Sequence, residues 1–216
     1  MKKIIALIVA TFFIQGCQNT QTQSNYSQNY RTNNVSATND AKAFSEVMAC
    51  GMDSFIQLER MYNRDPDFVA AIMLSAEGFS NNNINPKLPS RLKNVLDSYP
   101  NPNRKIALSQ MVLTCDNFNP NSFKNPSLMK TIAISLSQRR RIANEIMNNQ
   151  LTVHEAFVEI MRIEQLLTDE LMGTIGEKEL MSLMQGMANS SLMSKMNQMT
   201  SVTNRLEARI SSDYGL

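Results

Sequence analysis

Residues 40–62, DAKAFSEVMACGMDSFIQLERMY, decide the fold class. Phe44, Val47, Met48, Gly51, Phe55, Leu58 and Tyr62 recur at steps of three and four, which puts them on one face of an α-helix. A half-buried strand would need alternation with a period of two, and this stretch shows none. The same logic holds downstream. Asp65-Pro66 supplies an N-cap followed by proline at the first helical position, and Gly78 supplies a C-terminal stop. Residues 79–90 are an asparagine-rich loop, after which Ser90 is expected to cap a short helix carrying Leu92, Val95 and Leu96.

A further helix is expected from about Asn103 to Cys115, using Ile106, Met111, Val112 and Leu113. Asn125-Pro126 repeats the cap-and-proline start for a helix with Leu128, Ile132, Leu136, Ala143, Ile146 and Met147 on its apolar side. Thr152 and Glu155 form a capping box that opens a helix with Phe157, Ile160, Met161, Leu167 and Leu171, expected to end at Gly173 and Gly176. Residues 177–212 are helical by composition and contain no proline. No alternating run is long enough for a strand, and no repeat of solenoid period emerges. Residues 40–216 therefore read as one all-α, bundle-like domain of about six to seven helices.

The preceding 39 residues are of a different kind. Residues 18–39 are almost all Gln, Asn, Ser and Thr, with Tyr26, Tyr30 and Val35 alone to bury, so ordering them would not be repaid by burial. As a flexible coil they would span roughly 25 Å, a tether. Ahead of them, Met1-Lys2-Lys3 is a basic start, Ile4 to Ile14 is an uncharged apolar run, and Gln15-Gly16-Cys17 closes it. That run reaches roughly 16 Å as a helix, short of a bilayer core of about 30 Å. It has the three-part layout of a secretory signal peptide, residues 1–16.

Ile14-Gln15-Gly16-Cys17 resembles the lipobox of bacterial lipoproteins, with Gln15 standing where a small or hydroxyl residue is usual. The resemblance implies cleavage after Gly16 and a lipid-modified Cys17 at the start of a 17–39 tether. In enteric-type bacteria an aspartate after that cysteine favours inner-membrane retention; Gln18 stands there, so the resemblance implies the outer membrane, and a periplasm-facing anchor is expected. The resemblance covers only this leader and names no domain family.

Removing residues 1–16 from the 216 leaves 200, and losing Lys2 and Lys3 turns 21 basic and 19 acidic side chains into 19 of each. A neutral body has no overall field to attract nucleic acid, so none is expected as a partner. Arg139-Arg140-Arg141 is the one basic cluster; its members point about 100° apart around a helix and read as a solvated face, with a polar contact to a partner as the alternative. With Cys17 taken by lipid, Cys50 and Cys115 are left as a pair, which in an oxidising compartment is expected to form a disulfide. Two buried free thiols are the alternative.

Six of the 16 methionines fall between 181 and 199, in Met181-x-x-Met184-x-x-Met187 and Met193-x-x-Met196-x-x-Met199. Leu192, Met196, Met199, Thr203, Leu206 and Ile210 follow alternating steps of four and three, a heptad-like seam. Leu180, Leu183, Met184 and Met187 lie on a displaced face, which suggests a bend between Gly186 and Ser191. Three uses of the seam stand open. It packs inside the domain, or it forms a partner face through Leu192, Met196, Met199, Leu206 and Ile210, since methionine suits adaptable surfaces. Alternatively, the thioethers of Met193, Met196 and Met199 hold Cu(I), a soft ion, although no His or Cys lies nearby.

His154, the one histidine, is expected to be exposed or to make a local hydrogen bond near a helix start, with no second ligand or nucleophile in sequence reach. Glu77-Gly78 ends a helix as the general-acid glutamate of muramidases does, but the further motifs of those enzymes are missing, and a glycine stop accounts for it. No nucleophile elbow, phosphate loop, zinc spacing or nucleotide fingerprint occurs. The expectation is a non-enzymatic envelope accessory protein without a cofactor beyond its lipid, docking onto a secretion, conjugation or surface-structure assembly; a Cu(I)-handling protein and a cell-wall hydrolase built on Glu77 are the rivals.

Overall fold

Asx-proline pairs start several of the helices. In the computed structural model, which describes residues 34–76, 88–175 and 191–215, Asp65 accepts from the Phe68 N–H at 3.1 Å and Asn125 from those of Ser127 and Leu128 at 2.9 and 3.4 Å. Asn101-Pro102 does the same for the Arg104 N–H at 3.0 Å, and Asn119-Pro120 opens a single 3₁₀ turn, Pro120–Ser122. Each pair satisfies orphan donors while proline presets the helical φ. Ser90 does not cap: Pro89 is the N-cap residue, and the first bonded N–H groups, of Leu92 and Lys93, reach its carbonyl.

The resulting elements are α1 (Asn34–Tyr62), α2 (Pro66–Ala76), α3 (Ser90–Asp97), α4 (Pro102–Val112), α5 (Pro126–Met147), α6 (Val153–Ile175) and α7 (Ser191–Tyr214). No strand occurs among the described residues, so the chain is all-α. Three boundaries differ from expectation. α1 begins at Asn34, so residues 34–39 of the expected tether are helical. α4 stops at Val112 and passes into turns. α6 runs through Gly173 to Ile175, because a glycine inside a helix lowers its stability without ending it. The expected stops at Gly78 and Gly176 lie outside the described residues, as do the bend and the first methionine triplet.

α4, α5 and α6 run up and down as antiparallel neighbours. The α5–α6 connection turns at Asn149, whose φ of 53° is left-handed, a conformation asparagine tolerates; the Gln150 N–H then reaches back to the Glu145 carbonyl at 2.9 Å. The capping box forms as expected: the Glu155 N–H donates to Thr152 Oγ1 at 3.2 Å, and the Thr152 N–H to the Glu155 carboxylate at 2.7 Å. The Thr152 N–H first, and then its hydroxyl, which also donates to that carboxylate, hold the Glu155 carboxyl below its ordinary pKa.

The first and last helices lie side by side and parallel. Asp53 pairs with Lys195, Glu59 with Arg205, Asn63 with Arg209, so partners ascend together along both. Across this layer the core falls into two lobes. The larger gathers Leu58 and Tyr62, the whole apolar run Phe68–Leu74 of α2, Leu92 and Leu96, Leu108, Ile142 and Ile146, Val153, and Leu206 and Ile210. The smaller holds Ala43, Phe44 and Met52 with Cys115, Phe123, Leu128, Ile132, Leu136, Leu167 and Met199.

Two expected core positions are reversed. Ile106 is 50% exposed while Leu108 is fully buried, and Met147 is 49% exposed while Ile142 is fully buried. In each helix the sequence offers more apolar residues than one face can bury, and the neighbouring helices select among them.

Candidate functional site

Cys17 and Glu77 lie outside the described residues. The remaining candidates separate into the smaller lobe and the opposite end of α1.

In the smaller lobe, Cys50 of α1 is joined to Cys115 in the turn after α4, with Cα atoms 5.6 Å apart, inside the normal span of a disulfide. The pairing expected from cysteine arithmetic is therefore present. Close by, Asp40 is buried (6% exposed), and its carboxylate accepts the N–H groups of Lys124 and, at 3.1 Å, Asn125. These are the two residues that lead into α5, so a carboxylate from the far end of the sequence caps that helix entry. An aspartate at the margin of a polar stretch gave no local sign of this.

The seam of α7 faces inward. Met199, Leu206 and Ile210 are all buried, Met199 in the smaller lobe and the other two in the larger, and Met196 is half-buried against the smaller. Their covering is supplied by α1 of the same chain, so these residues are not a free partner face. This corrects that expectation; Leu192 and Met193 have side chains outside the described set. The three positions 193, 196 and 199 also do not form one open thioether surface, because Met199 is enclosed by apolar neighbours. What the tertiary structure does collect is sulfur from several helices: Met52, Met129, Met196 and Met199 share the lobe with the cysteine bridge.

At the other end of α1, polar groups close on one another. The Tyr62 hydroxyl donates to Asp213 at 2.6 Å and the Tyr214 hydroxyl to Asp67 at 2.5 Å, while Arg91 also pairs with Asp67. Arg104 binds Asp65 through two nitrogens, at 2.7 and 3.0 Å, and its guanidinium lies 5.6 Å from the Phe68 ring centre. Arg209 covers the Tyr62 ring at 4.6 Å. Burial pushes the Tyr62 hydroxyl up to about 12, helped by Asp213, and burial with Asp67 raises Tyr214 as well. Burial opposes the charged form of Asp65, but Arg104 and the Phe68 N–H outweigh it and hold that carboxyl below its usual range. Every anion here is matched by a cation or a hydroxyl. Such an arrangement fastens helix ends to one another.

The arginine triplet points in three directions, as expected, but it is not simply solvated. Arg139 reaches the Val112 carbonyl at 3.3 Å and the Glu164 carboxylate; Arg140 pairs with Asp116; Arg141 binds Glu145 at 2.7 Å and Glu159 at 3.1 Å. One sequence run thus pins α5 to α6 and to the turn after α4. Burial lowers the pKa of Arg139, whose guanidinium is the most enclosed of the three, and it remains a cation.

His154 is half-buried rather than exposed, with Nδ1 enclosed and without a hydrogen-bond partner among the described residues. Among those residues no group of three His, Cys, Asp or Glu side chains is placed to hold a metal ion, and no helix is long and apolar enough to cross a membrane. Comparison with protein-family models, with curated proteins and with solved structures gave no match.

Proposed function

We propose that the chain is an outer-membrane lipoprotein, anchored through lipid on Cys17 and working as a non-enzymatic accessory that docks onto an envelope assembly. The observation that carries this reading is the leader itself: a basic start, a short apolar run and Gly16-Cys17, followed by a polar stretch that leads into α1. The disulfide supports it, since a bonded cysteine pair, Cys115 buried and Cys50 half-buried, suits an exported protein better than a cytosolic one. The extensive internal pairing of arginines, carboxylates and tyrosines supports a role in position and contact rather than chemistry. With the α7 seam spent on α1, docking falls to other surfaces.

Metabolic labelling with a fatty-acid analogue tests the anchor. Label is expected on the wild type and lost on Cys17→Ser; label that persists on that variant, or none on either, overturns the lipid reading. Photocrosslinkers at Leu166 and Ile134, exposed on α6 and α5, then test docking in envelope membranes. Discrete crosslinked protein bands are expected, and their absence at these and other exposed positions overturns the accessory role.

A further inference from the structure

We propose that the smaller lobe is a mount that carries mechanical load: traction arriving from the N-terminal side enters α1 at Asn34 and passes through Asp40 and Cys50 into the segment joining α4 to α5. The physiological source of such traction rests on the anchoring at Cys17 proposed above; the load path itself rests on geometry.

A helix pulled from one end separates from its neighbours turn by turn, since each apolar contact resists alone. Two fasteners interrupt that process near the start of α1. The first is the buried Asp40 carboxylate, bound to the Lys124 and Asn125 N–H groups. The second is covalent, Cys50 to Cys115. Both end in residues 115–125, between α4 and α5, so they converge on one short segment although they leave α1 from different turns.

That receiving segment is itself held down. Arg140 binds the Asp116 carboxylate and, at 3.2 Å, its carbonyl, while Arg139 grips the Val112 carbonyl, and both arginines belong to α5. Phe123 is buried in the same lobe and packs beside Phe118, ring centres 5.9 Å apart. Farther along α1, Lys195 ties Asp53 to α7 at 2.6 Å. The strongest links thus lie where the chain enters the body, in the lobe with the smaller apolar core.

The test is pulling on single full-length molecules in optical tweezers. One handle is attached to the Cys17 thiol and the other to an azide-bearing residue replacing the exposed Gln150, between α5 and α6. With the bridge closed, residues 51–114 carry no load, so the length released is limited to residues 34–50 and 115–150, at most about 18 nm. In Cys50→Ala/Cys115→Ala the first release is expected to pass that limit, at a lower force. Asp40→Asn with the bridge intact is expected to lower the first force and leave the limit of about 18 nm unchanged. The assignment is overturned if bridged and unbridged chains release the same first length, or if Asp40→Asn leaves the first force unaltered. Should the double variant fail to fold at zero force, Asp40→Asn decides alone. Because the handle is attached chemically, a missing lipid in the labelling experiment and a failed load path are separate results.

Discussion

The two lobes of the core are held by different means. The larger is apolar on many sides: α2 buries an unbroken run from Phe68 to Leu74, and α1, α3, α4, α5, α6 and α7 all pack into the same cluster. Among the described residues the smaller has a shorter apolar set, and it adds a disulfide and a buried carboxylate that caps a distant helix entry. The contrast teaches that apolar burial and specific fasteners substitute for one another along a single long helix, since α1 contributes to both lobes. In the smaller lobe a covalent loop and a charged hydrogen bond add to what apolar burial supplies.

The severest way to break the comparison is to open the bridge. A closed loop spanning a separation of 65 residues contributes roughly 4 kcal/mol in the chain-entropy description. Cys50→Ala/Cys115→Ala should lower chemical-denaturation stability by about that much. Hydrogen exchange should speed up in the first half of α1 and the start of α5 while α2 and α3 stay protected. Uniform loss of protection would show that the lobes are one cooperative unit.

Next in size is a cavity in the larger lobe. Leu96, fully buried, changed to Ala should cost about 3 kcal/mol, with exchange increased first in α3 and α2. Asp40→Asn comes third. An amide oxygen cannot serve both N–H groups as well as a carboxylate, and a loss of about 2 kcal/mol is expected, confined to the smaller lobe by the same readout.

Smallest is the polar cap at the far end of α1. Because the Tyr62 hydroxyl titrates near 12 in the folded protein against an ordinary 10.0, the folded state keeps a proton that the unfolded chain has released. Its contribution is complete below pH 10 and is lost as pH rises towards 12. Stability should fall across that window, and Tyr62→Phe, itself costing about 1 kcal/mol, should flatten the fall. An unchanged pH profile in the variant would place the alkaline transition elsewhere.

Most helix starts with local chemistry were legible, the expected Ser90 cap being the exception. Asp65-Pro66, Asn125-Pro126 and the Thr152–Glu155 box each act over two or three residues, and each is found where expected. Asn101-Pro102 carries the same signal and could have placed the start of α4 more closely. The pairing of Cys50 with Cys115 was legible by counting, since no other partner remained once Cys17 was set aside. Asp40 was not, because nothing within one helical turn of it announces a use more than eighty residues away.

The sequence by itself determined that this is an all-α chain and where most of its helices start. Caps, proline and the 3.6-residue period act through neighbours in the chain, so they can be read from neighbours in the chain. Only the tertiary structure decided which apolar residues are covered. It buried Leu108 and Ile142 while leaving Ile106 and Met147 in solvent, and it spent the methionine seam of α7 on α1. The physical reason is that burial belongs to a pair of surfaces. A seam on one helix is a docking face or a core face only according to what packs against it, and here that partner lies at the other end of the same chain.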